Sequence, residues 1–241
     1  EICEALQHLN VVTVENYLRG NAVSPFVVLR HDVDREVGNA LAMAKLEHRY
    51  GISSTYYFRY PRTFNAAFIS KINSLGHEIG YHYEVLDKAK GDYAKAIEIF
   101  RRELDYFRRI APVTTVCMHG NPLTPWDGRS LWKYHDFKAF GLLGEAFISV
   151  RDAPVYLTDT GRNWNGNHNI KDSISAGVKN ISIRDTKHLI QLLEETKSEN
   201  IYLNCHPERW GPGIWGWARA LVRDNCFNLV KTLATPVFWL R

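Results

Sequence analysis

Phe26-Val27-Val28-Leu29-Arg30-His31-Asp32-Val33-Asp34 is the stretch on which the fold turns. Four apolar residues read as a strand buried on both faces, and the run ends in charged residues. Beyond Asp34 a helical pattern continues to about Tyr50 and stops at Gly51. Ser54-Thr55-Tyr56-Tyr57-Phe58 then starts a second strand, rich in aromatic and β-favouring residues. Strand, helix and strand in that order predict a βαβ unit, and hence a parallel sheet.

The alternation continues outward. Residues 64–75 read as a helix closed by Gly76, and 77–82 as a short strand. A helix is predicted from Asp92, as N-cap, to about Ile110, with Tyr93, Ile97, Phe100, Leu104 and Phe107 on one stripe. A fourth strand covers 113–118. From Asp127 to Asn180 the pattern is less regular, with strand candidates at 146–150 and 155–158. Residues 181–183 (strand), 186–197 (helix), 201–205 (strand) and 215–230 (helix) restore it. No linker or repeat interrupts the chain, so residues 1–241 are expected to form a single α/β domain.

Composition narrows the class. The chain has 241 residues, 45% hydrophobic, 23% charged and 12% aromatic, which excludes disordered, collagen-like and coiled-coil chains. No apolar run approaches the ~20 residues that span a bilayer. The net charge is +4 and its Lys and Arg are scattered, so no nucleic-acid footprint is legible, while a local preference for an anionic phosphate or uronate stays open. The cysteines Cys3, Cys117, Cys205 and Cys226 are far apart, so free thiols and a cytoplasmic setting are expected.

In parallel α/β proteins chemistry collects where strands end. Asp32 and Asp34, at i and i+2 of an extended segment, project on one side. Residues 76–84, Gly-His-Glu-Ile-Gly-Tyr-His-Tyr-Glu, put His82 and Glu84 on one face, with Gly80 permitting close backbone approach. Cys117-Met118-His119-Gly120 and Leu203-Asn204-Cys205-His206 bring two more imidazoles to strand ends. One such histidine is more often structural. Several at one rim with paired carboxylates point to a divalent metal, with zinc the ion expected.

Arg30-His31-Asp32-Val33-Asp34 together with Gly76-His77-Glu78-Ile79-Gly80-Tyr81-His82 resembles the first two motifs of the NodB-homology polysaccharide deacetylases, carbohydrate esterase family four. The Asp-Val-Asp form most resembles the branch that deformylates lipid-linked aminoarabinose. Leu203-Asn204-Cys205-His206 is similar to the family's last motif, and the stretch from Tyr156 to Trp164 faintly to its fourth. The resemblance implies a distorted (β/α) barrel and metal-dependent removal of an acetyl or formyl group from an amino sugar. On it, Asp32 is the general base, Asp34 and His82 are metal ligands, and His206 is the general acid. The family's second motif histidine falls at Leu86, and its Arg-x-Pro-Tyr segment at His119-Gly120-Asn121-Pro122. The third ligand is therefore His119, with Glu84 the alternative.

Asp159 is expected to orient His206 or to pair with Arg162, and Asp159, Arg162, Trp164 and Trp210 form the candidate substrate-binding set. Trp126, Trp215 and Trp217 also fall near rim loops, although large aromatics are more often core. His77 is expected to be structural, and His31 faces either site or core. The expected partner is an amino-sugar-containing small molecule or glycan intermediate of surface-polysaccharide biosynthesis, with no nucleic acid and no transmembrane segment. The rival reading is a catalytically degenerate glycan-binding or regulatory barrel, and a third moves the hydrolysis to a non-sugar amide.

Overall fold

In the computed structural model, described over residues 1–164, 171, 179, 181–195, 199–211, 213, 216, 218, 220–222, 224 and 225, eight parallel strands form one sheet. They are β1 (Val11–Val12), β2 (Val27–Val33), β3 (Thr55–Phe58), β4 (Glu78–Tyr83), β5 (Thr115–Met118), β6 (Gly144–Glu145), β7 (Val155–Thr158) and β8 (Ile201–Cys205). The spatial order is β6-β5-β4-β3-β2-β8-β7, with β1 paired to β2. Every residue of β2 is buried, as the apolar run requires of a strand covered on both faces.

The helices that accompany them include α1 (Ile2–Leu6), α2 (Val14–Leu18), α3 (Val37–Arg49), α4 (Ala66–Ser74), α5 (Val85–Lys88), α6 (Tyr93–Arg108), α7 (Ala146–Ser149) and α8 (Thr186–Glu195). Gly51 and Gly76 follow the ends of α3 and α4 with φ of 70° and 88°, the left-handed turn that stops a helix. Asp92 caps α6 by accepting the Lys95 N–H at 3.0 Å, and Ile97, Phe100, Leu104 and Phe107 of its stripe are buried.

Among the described residues the edge strands β6 and β7 share no backbone ladder. The sheet curls instead until side chains from its two edges meet. Phe147, just past β6, lies 6.4 Å ring to ring from Tyr156 of β7, and the Tyr202 hydroxyl donates to the Ala146 carbonyl at 3.2 Å. Arg30 fills the interior, 4.1 Å from the Phe147 ring centre and bonded to the Tyr156 hydroxyl at 3.1 Å. This is a distorted (β/α) barrel, closed by side chains rather than by hydrogen-bonded strands.

Two local expectations are corrected. Residues 146–150 are not a strand: the strand is Gly144–Glu145, and α7 follows at once. The Glu145 carboxylate accepts the Phe147 and Ile148 N–H groups at 2.8 and 2.9 Å, starting a helix where the apolar run suggested extension. Residues 181–183 form no strand, and Ile183 instead packs with Leu189 and Leu193 of α8. The helix expected at 215–230, with Trp215, Trp217 and Cys226, falls mostly outside the described residues. Cys3, Cys117 and Cys205 are free thiols. Among the described residues no helix is long and apolar enough to cross a membrane.

Candidate metal centre and active site

Alternation along β2 sorts its polar residues onto two faces. His31 turns outward to Glu47 of α3, Nε2 to Oε1 2.7 Å, where Ser54, Tyr56 and His77 complete a buried polar cluster. His77 also bonds the Ala44 carbonyl at 3.0 Å. Both histidines therefore tie α3 to the sheet and stand away from the strand-end site. Arg30, Asp32 and Asp34 turn the other way.

Parallel register brings the remaining groups to Asp34. His82 pairs with Cys117 across β4 and β5, so His119 emerges beside it, their rings 5.3 Å apart and perpendicular. The His82 Nδ1 lies 3.0 Å from the Cys117 carbonyl, which can only accept, so Nδ1 carries the proton. The ring's other nitrogen, Nε2, faces Asp34 Oδ1 at 3.5 Å. His119 Nε2 faces the same oxygen at 3.6 Å, and burial holds that imidazole far below its ordinary pKa. Burial opposes the charge on Asp34, yet His119, His82, His206 and Arg59 around it hold its carboxyl well below the usual carboxylate range.

The buried Asp34 Oδ1 has no hydrogen-bond partner among the described residues. Two imidazole nitrogens and a carboxylate oxygen thus converge at distances too long for hydrogen bonds. Donors about 2.1 Å from a tetrahedral ion lie about 3.4 Å apart, close to the separation of Asp34 Oδ1 from each imidazole nitrogen, although the three residues together do not bring ligand atoms within 4.8 Å of one another. The donor types suit a divalent cation, and the second-nitrogen bond of His82 is the support such a ligand needs.

A second grouping, Asp32, His82 and Cys117, offers ligand atoms within 4.8 Å of one another. The Arg30 guanidinium stands beside it, 2.8 Å from Cys117 Sγ and 3.4 Å from Asp32 Oδ2, as Arg59 stands 3.8 Å from Asp34 Oδ1.

Glu84 stands elsewhere. Its Oε2 is 2.5 Å from Arg59 Nη2 and 3.5 Å from the His119 Nδ1, so it backs the ring rather than joining Asp34. Leu86 is buried in the apolar core.

Asp32 Oδ2 accepts from Asn204 Nδ2 at 3.0 Å, while its buried Oδ1 has no hydrogen-bond partner among the described residues. Asp159 lies under His206, Oδ1 to Nδ1 2.6 Å, and also accepts from Arg209 at 2.6 Å and from the Trp210 indole at 2.7 Å. Burial and Arg209 disfavour a charged His206, but Asp159 outweighs them and its pKa is raised to about 9. Of the two partners open to Asp159, the structure shows His206. Arg162 pairs with Asp224, Nε to Oδ2 2.8 Å.

The aromatic candidates fare unevenly. Trp164 is buried behind Trp210, ring centres 6.2 Å apart, and offers no face to a ligand. Trp210 is 38% exposed, with its indole N–H committed to Asp159. Arg30, Asn204, Arg59 and Arg209 were not singled out from sequence. Arg30 and Asn204 could have been, since each lies two residues before a candidate and so shares its face.

Asp32, His82, His206, Met118 and Phe147 enclose a chamber of about 70 Å³. It shares Asp34, His119 and Arg209 with an outer chamber of about 280 Å³.

No family model matches the chain, and no curated protein does. Among solved structures, a mutant of a CE4 family pseudoenzyme with restored enzymatic activity is similar at 12% identity and TM-score 0.45, over 86% of this chain and 63% of that one. A mutant of the peptidoglycan deacetylase PdaC from Bacillus subtilis is similar at 11% identity and TM-score 0.39, over 86% and 96%. The Xyl-CE4 domain of a multidomain xylanase from the hindgut metagenome of Trinervitermes trinervoides is similar at 12% identity and TM-score 0.40, over 82% and 80%.

Proposed function

We propose that this protein is a divalent-metal-dependent amidohydrolase of the NodB-homology kind that removes a short N-acyl group from an amino sugar. The observation that carries the reading is Asp34 Oδ1, without a hydrogen bond, facing two imidazole nitrogens at 3.5 and 3.6 Å beside a carboxylate and a third histidine. Asp34, His82 and His119 would hold the ion, with zinc the ion expected. When bound, it supplies Lewis acidity for the attacking water and the scissile carbonyl.

The chain's own groups supply the proton transfers. Asp32 Oδ1 accepts a proton from the attacking water while Asn204 and Arg30 fix the carboxylate. His206, held charged by Asp159, donates a proton to the leaving amine nitrogen as the C–N bond breaks. The products are a carboxylate and a free amino sugar. The chamber of about 70 Å³ beside Asp32 and His206 is small, which suits a short acyl group such as formyl or acetyl. The proposed setting is biosynthesis of a surface glycan, acting on a small molecule or intermediate.

The test is release of free amine from N-formyl and N-acetyl amino sugars. Asp32→Asn and His206→Gln should each lower kcat by ~10²–10⁴-fold with little change in fold. Turnover that persists in both variants would contradict these roles. No turnover by the metal-loaded parent on any such sugar would favour the degenerate barrel.

A further inference from the structure

The segment from His119 to Trp126 follows β5 without helix or strand, and it supplies Gly120, Asn121 and Pro122 to the outer chamber, which four arginines also line. Three of its carbonyls, those of Asn121, Thr124 and Trp126, meet a single atom. Lys171 Nζ donates to them at 2.6, 2.8 and 2.7 Å. Carbonyl oxygens only accept, so the three bonds need three N–H groups, which only the charged ammonium carries. Carbonyl dipoles gathered at one point repel one another unless a cation sits between them, as in sites where carbonyls replace an ion's hydration shell. Burial disfavours that charge and lowers the lysine's pKa, against the pull of Asp87 and Asp127. The stem is fitted too. A β-carbon on Gly120 would stand 3.0 Å from Lys171 Cβ, so the lysine lies directly on the residue after His119.

We infer that Lys171 is a positioning residue for the proposed hydrolysis, the built-in cation around which the His119 segment folds; this rests on the amidohydrolase reading of the adjoining site. Lys171 lines neither chamber, so it acts through that segment. The segment starts at His119, whose backbone N–H is held by the Tyr83 carbonyl at 2.8 Å and whose ring faces Asp34. Further on, the Thr124 hydroxyl donates to Asp87 Oδ1 at 2.7 Å. Between and beyond these two ties, the three bonds to Lys171 set the direction of the chain. Without the ammonium the three carbonyls turn to water and the segment opens, moving Gly120 and Asn121 at the chamber wall. A shift of about 1 Å in a positioned group costs up to ~10²-fold in rate, so a residue outside both chambers governs turnover.

Lys171→Ala, assayed with and without propylammonium, tests this, because that ion has the atoms the substitution removes. In amine release from N-formyl and N-acetyl amino sugars the variant should lose at least about tenfold in kcat/KM. Propylammonium chloride should restore most of the loss and raise the variant's melting temperature, with neither effect on the parent. Tetramethylammonium chloride at the same ionic strength should do neither, because it has no N–H to offer. Lys171→Met keeps the stem over Gly120 without the charge, so it should fold even where the alanine variant does not, and lose activity to a similar degree. Full activity in either variant, a loss that propylammonium does not relieve, or one that both cations relieve alike would each overturn the inference. Amine release by the parent, with no selective propylammonium effect on rate or melting in Lys171→Ala, would leave the hydrolase standing and remove the role of Lys171. Selective protection of Lys171→Ala by propylammonium, in a protein that releases no amine from any N-acyl sugar, would support the cation-built segment and contradict the activity.

Discussion

Asp32, near the end of β2, and Asp34, just past it, have the same side chain and turn the same way, yet their surroundings differ. Asp34 points an oxygen at two imidazoles and receives no hydrogen bond on it; Asp32 has one oxygen held by Asn204 and the other left open. Glu78 shows a third fate for a buried carboxyl. It accepts from the Glu15 N–H at 2.8 Å and the Thr55 hydroxyl at 2.6 Å, and it meets the Thr115 hydroxyl. Burial outweighs these bonds and raises its pKa to about 7, from 4.5. A folded-state value above the unfolded one means the folded chain binds more protons between the two. The stability this group contributes is present below pH 4.5 and is lost as pH rises through 7. The melting temperature should therefore fall between pH 5 and 8, and Glu78→Gln, which keeps the shape, should flatten that slope. A slope as steep in the variant as in the parent would count against burial of this carboxyl as the cause. Its role was invisible in the sequence, where Glu78 is one acid in a motif and its partners lie 23 to 63 positions away.

At the scale of elements, the strand ends were the legible part. Apolar runs that stop in charged residues mark β2, β4, β5 and β8, and period-two alternation tells which side chains share a face. The error at 146–150 arose because an apolar run of that length suits a strand or a buried helix, and a glutamate cap is an unusual start signal. Gly80 illustrates an element-level constraint that spacing did suggest. Its β-carbon would stand 2.2 Å from the Tyr57 ring on the neighbouring strand, so β3 and β4 pair only with hydrogen at that position. Gly80→Ala should destabilise the protein by about 1–3 kcal/mol, as overpacking a close-packed site does, measured by denaturant titration. A midpoint unchanged within error would show that Tyr57 moves aside freely.

For the whole molecule, the strand order sets β2 between β3, β4, β5 and β6 on one side and β8 and β7 on the other. The two carboxylates at the end of β2 therefore meet histidines arriving from both directions: His82 and His119 from one flank, His206 from the other. Motif order along the chain was enough to propose this meeting. It was not enough to foresee the Arg59–Glu84 backing of His119, the Arg30 side chain that fills the barrel, or the arginine-lined outer chamber. Those depend on how far the sheet curls, and curl is set by packing between edges distant in sequence. Trp164 and Arg162 show the reverse case, where residues near the rim by sequence are turned into the core or into an ion pair with Asp224.

On the function proposed above, Asp34, His82 and His119 together hold a divalent ion. Elemental analysis of the purified protein, before and after chelation and re-addition of metal, tests it alongside Asp34→Ala, His82→Ala and His119→Ala. Near-stoichiometric divalent metal in the parent, lost in all three variants while their circular dichroism is kept, is the result predicted. A folded parent that holds no metal and takes none up, or variants that bind it as well as the parent, would contradict the account.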